Sequence, residues 1–153
     1  MSANIHFITS KIVEELDNAG SKNMNYQIEA VQNQNYILAK ATGTIDAETF
    51  NQMILDAASA ASEHGYTKYL IDMQEAYFNI STLEIVNFAT YLRRTELKLL
   101  HKIALIYSQD EKDYHFIETV VRNRGYNIRI FDHSHEAISW LLGERYTTIG
   151  SMN

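Results

Sequence analysis

The chain has 153 residues, 46% of them hydrophobic and 21% charged, with a formal net charge of −6 and no cysteine. A chain of this length buries roughly 70% of its unfolded surface, enough for one core, and its apolar content separates it from disordered chains. The acidic balance argues against nucleic-acid binding through the molecule's general field, and the missing thiols exclude disulfides, zinc–thiolate sites and thiol nucleophiles.

The opening MSANIHFITSKIVEELD lacks the basic start and continuous apolar run of a signal peptide. No stretch approaches the roughly 18 apolar residues of a membrane span, so a cytoplasmic protein is expected. Residues 1–23 read as an N-terminal appendage. Ile12, Val13 and Leu16 have the spacing of one amphipathic helical turn, too short to persist unpacked, and the turn formers at 18–23 mark a soft boundary. A turn that needs a packing partner makes a homodimer one expectation. The main domain is expected over 24–145, with a tail at 146–153.

From Tyr26 the pattern is an alternation of strands and helices. Strands are predicted at 26–31 and 36–42, joined by the polar Gln32-Asn33-Gln34-Asn35 and paired antiparallel. A helix follows from Asp46, a good N-cap with Ile45 and Phe50 placed as a hydrophobic staple, and ends before Gly65. Its inner face is Phe50, Ile54, Ala57, Ala58 and Ala61. A short strand at 69–72 leads through a loop to a helix over 81–93, with Ile85, Ala89 and Leu92 on one side. A strand at 102–107, a helix at 113–124 closed by Gly125, a strand at 127–131 and a helix at 134–142 closed by Gly143 complete the order. This predicts an α/β domain: a four- to five-stranded, mostly parallel sheet with one antiparallel N-terminal strand, covered by four helices.

Strand, strand, helix, then three strand–helix units resembles the STAS domain, the fold of bacterial anti-sigma-factor antagonists. The stretch RGYNIRIFDHSHEAISWLL ending at Leu142 is similar to the Arg-Gly, apolar strand, Phe-Asp, Glu-Ala, Trp-Leu ending of its SpoIIAA-like branch. That branch is distantly related in fold to the CRAL-TRIO/SEC14 lipid carriers. The resemblance covers about residues 26–143. It implies a phosphorylated serine opening the helix after the third strand, within an Asp-Ser-Ser-Gly motif. Ser81 and Thr82 match the two serines by position and are the candidate phosphoacceptors, whereas Ile80 replaces the acidic residue and Leu83 the glycine. Read from the residues alone, Ser81-Thr82-Leu83-Glu84 is a capping box, with Ile80 and Ile85 as a staple.

The carboxyl ends of the strands are where α/β sheets hold ligands. The apolar segment Ala76-Tyr77-Phe78-Asn79-Ile80 is expected there as a loop. Tyr77, Phe78 and Ile80 either form a binding surface or fold back onto the core. Asp132 and His133, with His135 and Glu136, are the local cluster of histidine and carboxylate on the same expected edge. Residues two apart at a helix entry diverge, so a capping turn is preferred there over a metal site. Arg93, Arg94, Lys98, His101 and Lys102 form a basic stretch that complements a helix C-terminus or steers an acidic partner.

No phosphate loop, dinucleotide turn or nucleophile elbow is present, and Asp72, at a strand end, has no paired carboxylate. No catalytic residue, metal ligand or cofactor is therefore assigned. The expected function is a non-enzymatic regulatory module that binds another protein through the second helix and its preceding loop. The alternatives are a binder or sensor of a small apolar, lipid-like ligand, and an enzyme with a dispersed site.

Overall fold

The computed structural model describes residues 25–108 and 111–144. The expected appendage, its helical turn at 12–16 and the tail at 146–153 lie outside the described residues. Strand β1, Tyr26–Val31, alternates buried Tyr26, Ile28 and Ala30 with exposed Gln27 and Glu29, the period-two signature of a strand with one face on the core. A tight turn returns it antiparallel to β2, Tyr36–Ile45. The turn closes with Asn35 in the left-handed region (φ 60°), which asparagine tolerates, and its amide donates to the Val31 carbonyl at 2.8 Å.

Helix α1, Ala47–His64, begins at Asp46, whose carboxylate accepts the Thr49 amide at 2.8 Å. It stops at Gly65, where a φ of 73° ends the helix at no steric cost. All five residues of the expected inner face are buried, and Met53 and Ala60 join them. The chain continues through β3 (Lys68–Phe78), α2 (Thr82–Tyr91) and a 3-10 turn at Leu92–Arg94 to β4 (Lys102–Ile106). Helix α3 (Glu111–Asn123), β5 (Asn127–Phe131) and α4 (Ser134–Leu141) follow.

The five strands among the described residues lie in sequence order, β1 antiparallel to β2 and the rest parallel. Stepping one strand at a time with right-handed crossovers puts every connecting helix on one face. Helices α1, α2 and α3 accordingly close the main core with Ile28, Ile71, Leu105 and Ile128. Helix α4, which no strand follows among the described residues, is free of that constraint. It covers the other face, where Ala137 and Leu141 meet Tyr36, Leu70, Ala104 and Ile106.

The structure corrects the expected strand end at Asp72. Strand β3 runs on to Phe78 and stays paired with β2 as far as Ile45 opposite Phe78. Between Lys40–Asp72 and Thr42–Glu75 the partners advance two residues on β2 and three on β3, a β-bulge. The extra residue's backbone is satisfied by side chains: the Gln74 amide donates to Asp72 Oδ1 at 3.0 Å, and Ser108 Oγ donates to the Gln74 carbonyl at 2.6 Å. Strand β4 ends at Ile106, opposite Asp72, so β2 and β3 continue beyond it as a two-stranded extension.

Candidate functional site

The bulge restores the inward alternation one residue late, burying Ala76 and Phe78 and leaving Tyr77 54% exposed. The expected pairing of Tyr77 and Phe78 on one surface therefore does not hold. Phe78 is 7% exposed and belongs to an aromatic row running into the core. Its ring meets Phe50 edge-on at 5.1 Å and stacks on Tyr114 at 5.3 Å. Phe50 continues the row to Phe88 at 4.9 Å, and Tyr114 to Tyr107 at 5.4 Å. Ile80, half-buried, packs against the same core.

The Asn79 amide donates to the Ile45 carbonyl at 2.8 Å, holding the exit from β3 against the end of β2. The chain then enters α2 through a complete capping box. The Glu84 amide donates to Ser81 Oγ at 3.2 Å, and the Ser81 amide donates to Glu84 Oε1 at 2.9 Å. Ser81 and Thr82 are both exposed, as a phosphoacceptor must be. Yet Ser81 Oγ is committed to the cap, and the Glu84 carboxylate beside it would repel a phosphate that the helix N-terminus by itself favours. At this end of the sheet sequence reasoning missed Leu83, 67% exposed on the first turn of α2. Its signal was present: the capping box and staple account for Ile80, Ser81, Glu84 and Ile85 and ask for no leucine between them.

The second candidate group is not beside the first. Phe131 lies opposite Ile106, which lies opposite Asp72 and so level with Lys40, whereas Tyr77 lies opposite Thr44; Asp132 therefore leaves the sheet about three ladder steps short of Tyr77 and two strands away from it. That is roughly 10 Å along the strands and roughly 10 Å across them. Asp132 Oδ1 and His133 Nδ1 are 2.8 Å apart and exposed. That hydrogen bond lowers the Asp132 carboxyl below its ordinary value and raises the His133 imidazole. His133 occupies the N-cap position of α4 without a side-chain cap bond, so the expected capping role is not made by this residue. Asp132, His133 and Glu136 could bring one ligand atom each within 4.8 Å of one another. A cation there would face the positive end of α4, and the imidazole already serves Asp132.

Asp72 is half-buried and spends a carboxylate oxygen on the bulge, a structural duty. Helix α2 packs chiefly on α1, α3 and the 3-10 turn, and a cavity of about 30 Å³ lies between it and the sheet, lined by Phe50, Ile54, Phe88, Leu92 and Leu105 among other apolar groups. Small-molecule pockets run to roughly 300–1,000 Å³, so this cavity does not house a lipid-like ligand. Among the described residues, no helix is long and apolar enough to cross a membrane.

No family model matches the chain, and no curated protein matches it. Among solved structures, it is similar to an uncharacterized protein of the DUF3478 family with a SpoIIAA-like fold from Shewanella loihica. Identity is 24% over 79% of this chain and 98% of that one, with a TM-score of 0.47. It is also similar to the anti-sigma factor antagonist SpoIIAA in its unphosphorylated form, at 16% identity over 77% and 98% of the two chains and a TM-score of 0.47. The Bacillus cell fate determinant SpoIIAA in its phosphorylated form gives 15% identity, 75% and 97% coverage and a TM-score of 0.45. The chain's own strand order and directions, with β1 antiparallel at one edge and four parallel strands following, are those that the order of its elements implied.

Proposed function

We propose that the chain is a non-enzymatic module that binds another protein through the tip of β3 and the first turn of α2. The observation that carries this reading is the exposure of Tyr77 and Leu83 on either side of the Ser81 cap. Both are held on regular structure, one by the β2–β3 ladder and one by the capping box, so little order has to be gained on binding. Exposed Glu75, Asn79, Thr82 and Glu84 supply the polar rim that surrounds an interface centre. The STAS resemblance agrees with a regulatory protein as partner. In this reading Asp132 and His133 stand outside the surface, and Ser81 acts first as a cap.

The test is capture by the immobilised full chain from extract of its own source, compared with the Tyr77→Ser/Leu83→Ser double variant. The expected result is a partner retained by the parent and lost by the variant at an unchanged melting temperature. A partner retained equally by both would move the functional surface elsewhere.

A further inference from the structure

At the opposite end of the sheet, where the parallel strands begin, residues 93–102 join the 3-10 turn to β4. Their sequence, RRTELKLLHK, carries four Lys or Arg against one carboxylate, Glu96, in a chain whose net charge is −6. The segment is a built loop. Thr95, buried, donates its hydroxyl to the Leu92 carbonyl at 2.7 Å and accepts the Leu97 amide at 3.1 Å, and Leu97 is inserted in the main core. The His101 amide then closes a turn on the Lys98 carbonyl at 3.1 Å. His101 Nδ1 accepts the Lys98 amide and lies 3.2 Å from the Tyr69 hydroxyl.

The two residues at the tip of that turn are Leu99 and Leu100, 52% and 92% exposed. Turn tips favour Gly, Asn, Asp, Ser and Pro, and nothing in this geometry calls for leucine. Leu99 reaches back over Gly125, where an added Cβ would stand 3.6 Å from its Cδ2, while Leu100 projects freely. Arg93, Arg94 and Lys98 are exposed and form no ion pair among the described residues. Lys102 is otherwise engaged, with Nζ 2.5 Å from the Trp140 carbonyl and 4.5 Å from the centre of its ring.

We propose that this turn is a peripheral membrane contact, in which Leu99 and Leu100 enter the interface of an anionic bilayer and Arg93, Arg94 and Lys98 lie over its phosphates. A convex tip of two leucines fits a fluid surface that moulds to it, whereas a protein partner would have to present a groove. Lysine, unlike arginine, is depleted from protein-interface centres. Leucine beside Lys and Arg is instead the composition of elements that rest in bilayer interfaces, where each cation near an anionic surface adds attraction.

The experiment is co-sedimentation of the full chain with phosphatidylcholine vesicles, with and without phosphatidylserine, at low and high salt. Binding is expected only with phosphatidylserine and is expected to weaken with salt. Leu99→Ala/Leu100→Ala should lower partitioning about tenfold or more, and Arg93→Gln/Arg94→Gln/Lys98→Gln about a hundredfold. All five side chains are exposed, and circular dichroism melts check that the variants stay folded. No binding by the parent to phosphatidylserine vesicles would overturn the proposal, as would binding untouched by either set of substitutions. Equal capture of soluble polyglutamate by the parent and the leucine variant, without vesicle binding, would assign the patch to acidic proteins. The patch is at the far end of the sheet from Tyr77 and Leu83, so this outcome is independent of the protein-binding test.

Discussion

Phe78 and Tyr77 are adjacent on β3, and replacing each by alanine separates core from surface within one residue. Removing the Phe78 ring deletes a side chain that is 7% exposed and breaks its contacts with Phe50 and Tyr114. Loss of a buried phenylalanine costs about 3–5 kcal/mol, combining lost transfer energy with the cavity left between two aromatic rings. In a chain of this size that lowers the melting temperature by roughly 6–20 °C. Tyr77→Ala removes an outward side chain and should stay within about 0.5 kcal/mol of the parent. Urea denaturation of the three proteins reads both effects as shifts in midpoint at constant slope. A Phe78→Ala protein as stable as the parent, or a Tyr77→Ala protein that loses several kcal/mol, would refute the bulged register that turns Phe78 inward and Tyr77 outward.

Ser81→Ala should lower stability by about 1 kcal/mol by removing the oxygen that accepts the Glu84 amide, whereas Ser81→Asp, which keeps an N-cap acceptor, should recover most of it; thermal melts of the pair decide this. Burial, and then the charge of Lys98, lower the His101 pKa from its ordinary 6.5. The unfolded chain therefore takes up this proton at higher pH than the native protein. The stability linked to His101 is complete above pH 6.5 and is lost as pH falls through 6.5 toward the lowered native value. His101→Gln should flatten that part of the acid slope, leaving the opposite contribution of His133, whose pKa is raised, common to both proteins. Identical slopes in parent and variant would contradict it.

Helix starts and stops were legible because their signals are local. Asp46 reaches Thr49, Ser81 and Glu84 exchange bonds, and Gly65, Gly125 and Gly143 take positive φ, each within a few residues of sequence. The end of β3 was not legible. Two residues separate the inward Met73 and Ala76, so period two fails where the strand continues, and the side chain that completes the bulge, Ser108, is 34 residues from Gln74. This single irregularity made Met73–Phe78 read as a loop and placed Asp132 and His133 level with Tyr77. The exposed leucines escaped notice for another reason. Apolar residues in sequence suggest core, and only the turn closed between Lys98 and His101 reveals that Leu99 and Leu100 face outward while Leu97 anchors the loop.

The most direct test of the protein-binding account is hydrogen–deuterium exchange of the full chain, alone and saturated with a captured partner. The account predicts new protection over residues 75–91, covering the tip of β3, the Ser81 cap and α2, with the 127–136 strand and turn unchanged. Protection confined to 127–141, with 75–91 exchanging as in the free chain, would contradict it and return the functional surface to the Asp132–His133 end of the sheet.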